Sequence, residues 1–246
     1  HLNREFFMIK IEESSPNCSK KKRSNKNIGF IIIHYTGMQS EIESFNRLKN
    51  MKSKVSCHYF INRKGTVIQM IEDNKVAWHA GKSRWKNFKN LNKSSIGIEL
   101  VNKGHNFGYQ QFPSLQIKSL INLCNKLKKK YKIKKDNILG HSDIAPLRKV
   151  DPGKKFPWKK LSYYNLGSWY KDIRKDLYFT ETKIIKSLFF KNLFKIGYRY
   201  FKLNKRSKKD KLIVKAFQQR YYPQKVTGII DQKTHIISHL LANQHK

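Results

Sequence analysis

A chain of 246 residues with 39% hydrophobic content is long enough for one substantial folded domain and a smaller one. Its 53 Lys and Arg against 16 Asp and Glu leave a net charge of +37, so its partner or surroundings are anionic unless the excess is a lysine-biased composition spread over solvated faces. Three cysteines, Cys18, Cys57 and Cys124, are too few and too irregularly spaced for a disulfide scaffold or a cysteine-based metal ribbon, and no run of about 18 apolar residues is present to span a membrane.

The chain opens on His1, which is compatible with a leader that was removed or never included. Residues 1–25 read as an irregular lead-in, punctuated by Ser14-Ser15-Pro16-Asn17 and by Lys20-Lys21-Lys22-Arg23-Ser24. Ile31-Ile32-Ile33 reads as a buried strand that ends at His34, with Tyr35-Thr36-Gly37 as its exit. Glu41 to Met51 has Ile42, Phe45 and Leu48 at helical spacing. Val55 to Ile61 and Thr66 to Ile71 read as two strands joined across Asn62-Arg63-Lys64-Gly65, a hairpin signal. A polar loop containing Lys82 to Lys93 leads to a strand from Ser95 to Val101. Pro113-Ser114 introduces a helix from Leu115 to Tyr131, with Leu115, Leu120, Leu123 and Leu127 on one side and Lys126 to Lys130 over much of the other. A short strand then runs to Gly140. Strands and helices interleave around a hairpin, which predicts an α/β fold: a mixed β-sheet flanked by helices. From about residue 180 the chain is rich in Lys and aromatics and reads as a small all-α domain.

Gly140 to Gly153, Gly-His-Ser-Asp-Ile-Ala-Pro-Leu-Arg-Lys-Val-Asp-Pro-Gly, carries the densest chemistry. His141 falls where a strand stops and Asp151 closes the loop before a Pro-Gly turn. An imidazole and a carboxylate are good zinc ligands, and His34, at another strand end, is the best third. Three protein ligands with a fourth position left to water describe a catalytic zinc, which lowers the pKa of its water to about 7 and polarises a carbonyl. Hydrolysis is the chemistry suggested. Asp143 rivals Asp151, because His141 and Asp143 can chelate together, and spacing leaves the choice open. Glu99 is a carboxylate inside an apolar strand, on the face opposite Ile98 and Leu100. It points to solvent or, beside a metal at neighbouring strand ends, serves as general base. Lys149, two residues before Asp151, is placed to donate to an oxyanion, although a lysine is the least surprising residue here. Trp78-His79-Ala80-Gly81 suits a substrate cleft, with small residues for close approach and a flat indole for a sugar or peptide; core packing of Trp78 is the other reading. His58 reads as a core or supporting residue. His235 and His239, four apart in a helical stretch, look like half of a zinc pair but lack a third ligand.

Ile33-His34-Tyr35-Thr36, Cys57-His58-Tyr59, Ala77-Trp78-His79-Ala80-Gly81, Ser95-Ile96-Gly97-Ile98-Glu99 and the Gly140 to Gly153 stretch together resemble the zinc-dependent N-acetylmuramoyl-L-alanine amidases of the amidase-2 type, relatives of the animal peptidoglycan recognition proteins. The resemblance implies a zinc ion held by His34, His141 and Asp151. It chooses Asp151 over Asp143 because the family's aspartate precedes Pro-Gly. It also implies Glu99 as the catalytic carboxylate, Lys149 as the oxyanion-stabilising cation, and cleavage of the amide between the lactyl group of N-acetylmuramic acid and L-alanine of the stem peptide. Tyr59, Trp78, His79, Ala80 and Asn102 are the expected substrate contacts.

In the tail, Ile196-Gly197-Tyr198, Val214-Lys215-Ala216-Phe217-Gln218, Gly228, Asp231, Thr234 and Leu240 resemble a small three-helix peptidoglycan-binding module, with a basic insertion from Asn204 to Lys211 as the departure. The expected layout is a lead-in at 1–25, a catalytic domain at 26–175 and the three-helix domain at 180–246. Expected partners are peptidoglycan or muropeptides in the bacterial envelope, periplasmic or associated with the outer membrane, with cytoplasmic recycling as a second setting. Nucleic acid is not expected, because no recognised motif for it accompanies the charge. A non-catalytic peptidoglycan receptor is the alternative function, and the presence of all three zinc ligands weighs against it.

Overall fold

The computed structural model describes residues 9–11, 15–171 and 182–244. The chain divides into two compact units, residues 1–81 with 92–139, and residues 82–91 with 140–246. In chain order the elements are β1 (Ile9–Ile11), β2 (Phe30–Tyr35), α1 (Glu41–Lys49), β3 (Tyr59–Ile61), β4 (Val67–Gln69), β5 (Arg84–Trp85), β6 (Phe88–Lys89), β7 (Ser95–Leu100), α2 (Ser114–Tyr131), β8 (Ile138–Gly140), α3 (His141–Ile144), α4 (Trp158–Ser162), α5 (Thr182–Ile196), α6 (Asp210–Tyr221) and α7 (Gln232–Asn243).

The main sheet has the order β1-β4-β3-β7-β2-β8. It is mixed: β1 runs parallel to β4, β4 antiparallel to β3, and both β3 and β2 parallel to β7. The central strand β2 is apolar on both faces up to His34, as a strand covered on both sides must be, and its neighbour β7 is apolar on the face of Ile96, Ile98 and Leu100. Phe30, Ile31, Ile32, Ile33, Ile96 and Ile98 are all buried. The β3–β4 hairpin turns on Asn62, whose side-chain oxygen accepts from the backbone N–H of Lys64 and Thr66. Gly65 in that turn has φ +87°, and a Cβ there would lie 2.9 Å from the Leu115 carbonyl oxygen, so no other residue fits without displacing α2.

Ser40 caps α1 by accepting from the N–H of Glu43, and Glu41 and Glu43 near its start with Arg47 and Lys49 near its end complement the helix dipole. The helix packs through Phe45 and Leu48 on Cys57, Phe60, Met70 and Val101. Ile42, expected on that face, is exposed. It lies two positions, about 200°, from the buried Ser44. In α2, Ile117, Leu120, Leu123, Cys124 and Leu127 are buried, whereas Leu115, also expected inside, is exposed. It stands about 140° round the helix from Leu120.

Two expectations of irregular chain are corrected. The lead-in carries β1, and its described remainder is tied down by backbone bonds from Ser15 to Met70, Ser19 to Val76 and Arg23 to Asn74. Three residues are too few for a strand's alternation to show in sequence. The polar loop around Lys82 to Lys93 contains the β5–β6 hairpin, held in the second unit by Lys86 N–H donating to the Gly197 carbonyl and by the buried Trp85 ring against Tyr198. Gly197 is required there, since a Cβ would fall 2.4 Å from the indole.

The second unit contains α5, α6 and α7, packed through Phe189, Leu193, Phe217, Ile237 and Leu241. Asp231 caps α7 by accepting from Thr234 N–H. Gln218 accepts from the N–H groups of Thr227 and Gly228 and donates to Ile229 O, fixing the loop between α6 and α7. The expected domain boundary between 175 and 180 lies outside the described residues. No helix among the described residues is long and apolar enough to cross a membrane.

Candidate active site

In the first unit, β2 delivers His34, buried, opposite Glu99 of β7 in the parallel register. Side chains of paired residues share a face, so Ser95, Gly97, Glu99 and His34 project to the same side of the sheet. The His79 ring lies over Gly97, where a Cβ would come within 2.4 Å of it. His79 Nδ1 is 2.9 Å from His34 Nε2, and His79 Nε2 is 3.1 Å from Ser95 Oγ. Two tautomer pairs satisfy both contacts: His34 Nε2–H donating to His79 with His79 Nε2–H donating to Ser95, or the Ser95 hydroxyl donating to His79 Nε2 with His79 Nδ1–H donating to His34. In the first of these His34 is oriented with Nδ1 as the nitrogen it offers to a ligand.

His58 is fully buried and structural. Its Nδ1 accepts from Gly97 N–H, and its Nε2–H is directed at the Lys75 carbonyl. Burial, reinforced by the Arg23 charge, pushes its pKa down to about 3, so the ring is neutral at physiological pH.

In the second unit, α3 begins at His141 and a backbone bond from Ser142 N–H to Asp151 O closes the loop. His141 Nδ1 lies 3.0 Å from Asp151 Oδ2, both groups being buried. Asp143, the rival on spacing, is committed elsewhere. It accepts from Gly140 N–H at 2.8 Å and from the Tyr198 hydroxyl at 2.6 Å, and it is ion-paired to Arg220. The Arg220 guanidinium also lies 3.9 Å over the Trp158 ring. Burial opposes its charge, but Asp143 holds the pKa of Arg220 above the ordinary arginine value.

His34, His141 and Asp151 each offer one ligand atom, and the three atoms lie within 4.8 Å of one another. Two imidazoles and a carboxylate match the donor chemistry of a zinc site with an open position. Ligand atoms around a tetrahedral ion with bonds of about 2.0 Å stand about 3.3 Å apart, close to the His141–Asp151 separation. No other such group of His, Cys, Asp or Glu occurs among the described residues, so His235 and His239 are not part of one.

The remaining expected residues fall in varied surroundings. Tyr59 is buried and donates its hydroxyl to Asp73 at 2.7 Å; burial and that carboxylate raise its pKa. Asn102 is also buried, donating to Gln110 O and accepting from the N–H groups of Gly104 and Gln110, so its amide holds the loop 102–110. Ala80 is buried, with its N–H on Asn92 Oδ1, while Trp78 is 39% exposed. Lys149 is half-buried, its N–H bonded to Ala145 O. Sequence reasoning missed Ser95, Tyr198 and Arg220 as supports of candidate ligands. It also missed the rings around the end of β2, where Tyr35 OH lies 2.8 Å from His105 Nδ1 and His105 stacks on Tyr109. Those rings belong to an aperiodic loop that gives no pattern to read.

A mixed sheet carrying a buried histidine one residue before the end of a strand, with a His-His-Asp donor group, has the make-up of a hydrolytic metal site. The pattern of the N-acetylmuramoyl-L-alanine amidase (amidase-2) family matches residues 24–154. N-acetylmuramoyl-L-alanine amidase AmiD of Escherichia coli K12 is 31% identical over 235 residues, covering 89% of this chain and 83% of AmiD. The 1,6-anhydro-N-acetylmuramyl-L-alanine amidase AmpD of Haemophilus influenzae is 35% identical over 158 residues, 57% of this chain and 84% of its own. Among solved structures, E. coli AmiD in complex with anhydro-N-acetylmuramic acid-L-Ala-D-γ-Glu-L-Lys superposes with a TM-score of 0.77 at 30% identity, over 92% of each chain. AmpDh3 of Pseudomonas aeruginosa in complex with anhydromuramic pentapeptide gives a TM-score of 0.79 at 26% identity, over 97% of this chain and 99% of its own. The chain belongs to the amidase-2 family and is an N-acetylmuramoyl-L-alanine amidase.

Proposed function

We propose that the chain hydrolyses the amide between the lactyl carbonyl of N-acetylmuramic acid and L-alanine in peptidoglycan fragments, with a zinc ion held by His34, His141 and Asp151. The observation that carries this reading is the convergence of those three ligand atoms within 4.8 Å, with Glu99 paired to His34 across β2 and β7. Zinc bound there supplies Lewis-acid polarisation of the carbonyl and lowers the pKa of water. Glu99 takes the proton from the attacking water and returns it to the amine of L-alanine as the carbon–nitrogen bond breaks, leaving a lactyl carboxylic acid and a stem peptide with a free amino terminus. Lys149 donates to the carbonyl oxygen as it gains charge. His79 and Ser95 hold the His34 ring, and Tyr198 and Arg220 hold the turn that carries His141.

The anhydromuropeptides present in the two related complexes support a soluble fragment as substrate. The bacterial envelope is the proposed setting, and the helical tail, similar to a wall-binding module, supports it. Mass spectrometry of intact sacculi and of a soluble anhydro-muropeptide, incubated in parallel with the zinc-loaded protein, tests both points. Faster release of stem peptide from the soluble fragment supports the reading. Release from sacculi alone makes the polymer the substrate, and release from neither overturns the activity.

A further inference from the structure

The second unit holds a cleft of about 710 Å³ that the amidase chemistry does not use. Arg84, Arg199 and Arg206 line it with four lysines, against one carboxylate, Asp210. That carboxylate is already engaged, by Arg206 at 3.3 Å and by Ser207 N–H at 3.0 Å. Lysine bias does not account for the cleft, since 43 of the 53 basic residues are lysine yet three of the ten arginines gather here.

Two of the arginines are also held in place. Arg199 donates through Nη1 to the carbonyls of Phe194 and Tyr198, and its guanidinium lies 3.8 Å over the Phe194 ring. Arg206 lies 3.8 Å over Phe190. Partial burial and the nearby Arg84 charge push the pKa of Arg199 down, so like charges are kept together by the fold. Tyr200, between Arg199 and Phe201 on the cleft wall, adopts φ +78°, a left-handed conformation that a bulky residue rarely takes. Its hydroxyl is shielded from solvent and has no hydrogen-bond partner among the described residues.

Fixed like charges and aromatic walls make a site for a dianion carried on a polar ring. Guanidinium forks match the oxygens of a phosphate group, and two of them favour a dianion over a single carboxylate. The volume exceeds what free phosphate fills and suits a ligand of sugar size. We propose that this cleft binds a phosphomonoester on a carbohydrate or polyol, with the phosphate on Arg84 and Arg199 and the ring against Tyr200 and Phe201.

The test is calorimetry at physiological salt with glucose 6-phosphate, together with flotation on vesicles of phosphatidylinositol 4-phosphate in phosphatidylcholine, to separate a soluble from a lipid-borne source. The full chain is compared with Arg84→Ala/Arg199→Ala, with Tyr200→Phe, and with Lys126→Ala/Lys129→Ala on exposed positions of α2, which removes the same charge elsewhere. Circular dichroism checks that each variant folds. The expected result is one-to-one binding in at least one arm, weakened at least tenfold by the arginine pair and unchanged by the lysine pair and by Tyr200→Phe, which keeps the ring and loses only the shielded hydroxyl. Equal losses in the two double variants would reduce the effect to net charge and overturn the proposal, as would binding in neither arm.

Discussion

Arg220 of α6 pairs with Asp143 of α3, 77 residues earlier in the chain, where the two side chains are only 2% and 1% exposed. Asp143 stands two residues after His141 and also receives the N–H of Gly140 and the hydroxyl of Tyr198. The helical tail therefore supplies two of the groups that fix the turn carrying a candidate ligand. Removing one partner leaves a buried charge, so Arg220→Met is expected to cost about 3–5 kcal/mol of stability. It is also expected to weaken zinc binding about ten- to a hundred-fold, the usual effect of losing a support behind a ligand. Chemical denaturation and zinc competition with a chelator measure the two effects. Tyr198→Phe, which keeps the packing and loses one hydrogen bond, should show the affinity loss in milder form.

The choice between the two aspartates is open to direct measurement. Asp151→Ala is expected to lower bound zinc well below one ion per chain. Asp143→Asn keeps the shape of the side chain and is expected to retain zinc while lowering stability, because it weakens the ion pair to Arg220. Metal content by atomic emission decides between them, and depletion in the Asp143 variant with full occupancy in the Asp151 variant would reverse the assignment.

Glu99 faces the same side of the sheet as His34 and is assigned the proton transfers. Glu99→Gln preserves the strand and is expected to reduce turnover about 10²- to 10⁴-fold with zinc content unchanged. Steady-state kinetics alongside metal analysis checks this. Unchanged turnover would remove Glu99 from the mechanism.

His58 gives the fold an acid limit. Its pKa falls from the usual 6.5 to about 3 on folding, so between those values the unfolded chain binds the proton and the folded chain does not. The stability this contributes is fully present above pH 6.5 and is lost as the pH falls toward 3. Urea midpoints measured between pH 7 and 4 should drop more steeply for the native chain than for His58→Gln.

Much of the candidate site was legible because its signals are local. His34 and His141 stand at the ends of apolar strand runs, Glu99 is a carboxylate inside one, and Asp151 precedes a Pro-Gly turn. The sheet was legible as mixed because a hairpin signal interrupts an alternation of strands and helices. What the sequence hid is non-local. Nothing near Asp143 announces Arg220, and nothing near His34 announces that the His79 ring crosses Gly97 to reach it. Short elements were also hidden, since β1, β5 and β6 have two or three residues each and no period to read. Ile42 and Leu115 were placed inside because apolar type was followed further than the helical angle allows.

The most direct test of the account is to strip the protein of metal, restore one equivalent of zinc, and follow a soluble anhydro-muropeptide by liquid chromatography and mass spectrometry. The account predicts no cleavage by the stripped protein and, on adding zinc, release of a stem peptide with a free L-alanine amino terminus. Equal release before and after zinc would contradict it, as would cleavage at any bond other than the lactyl amide.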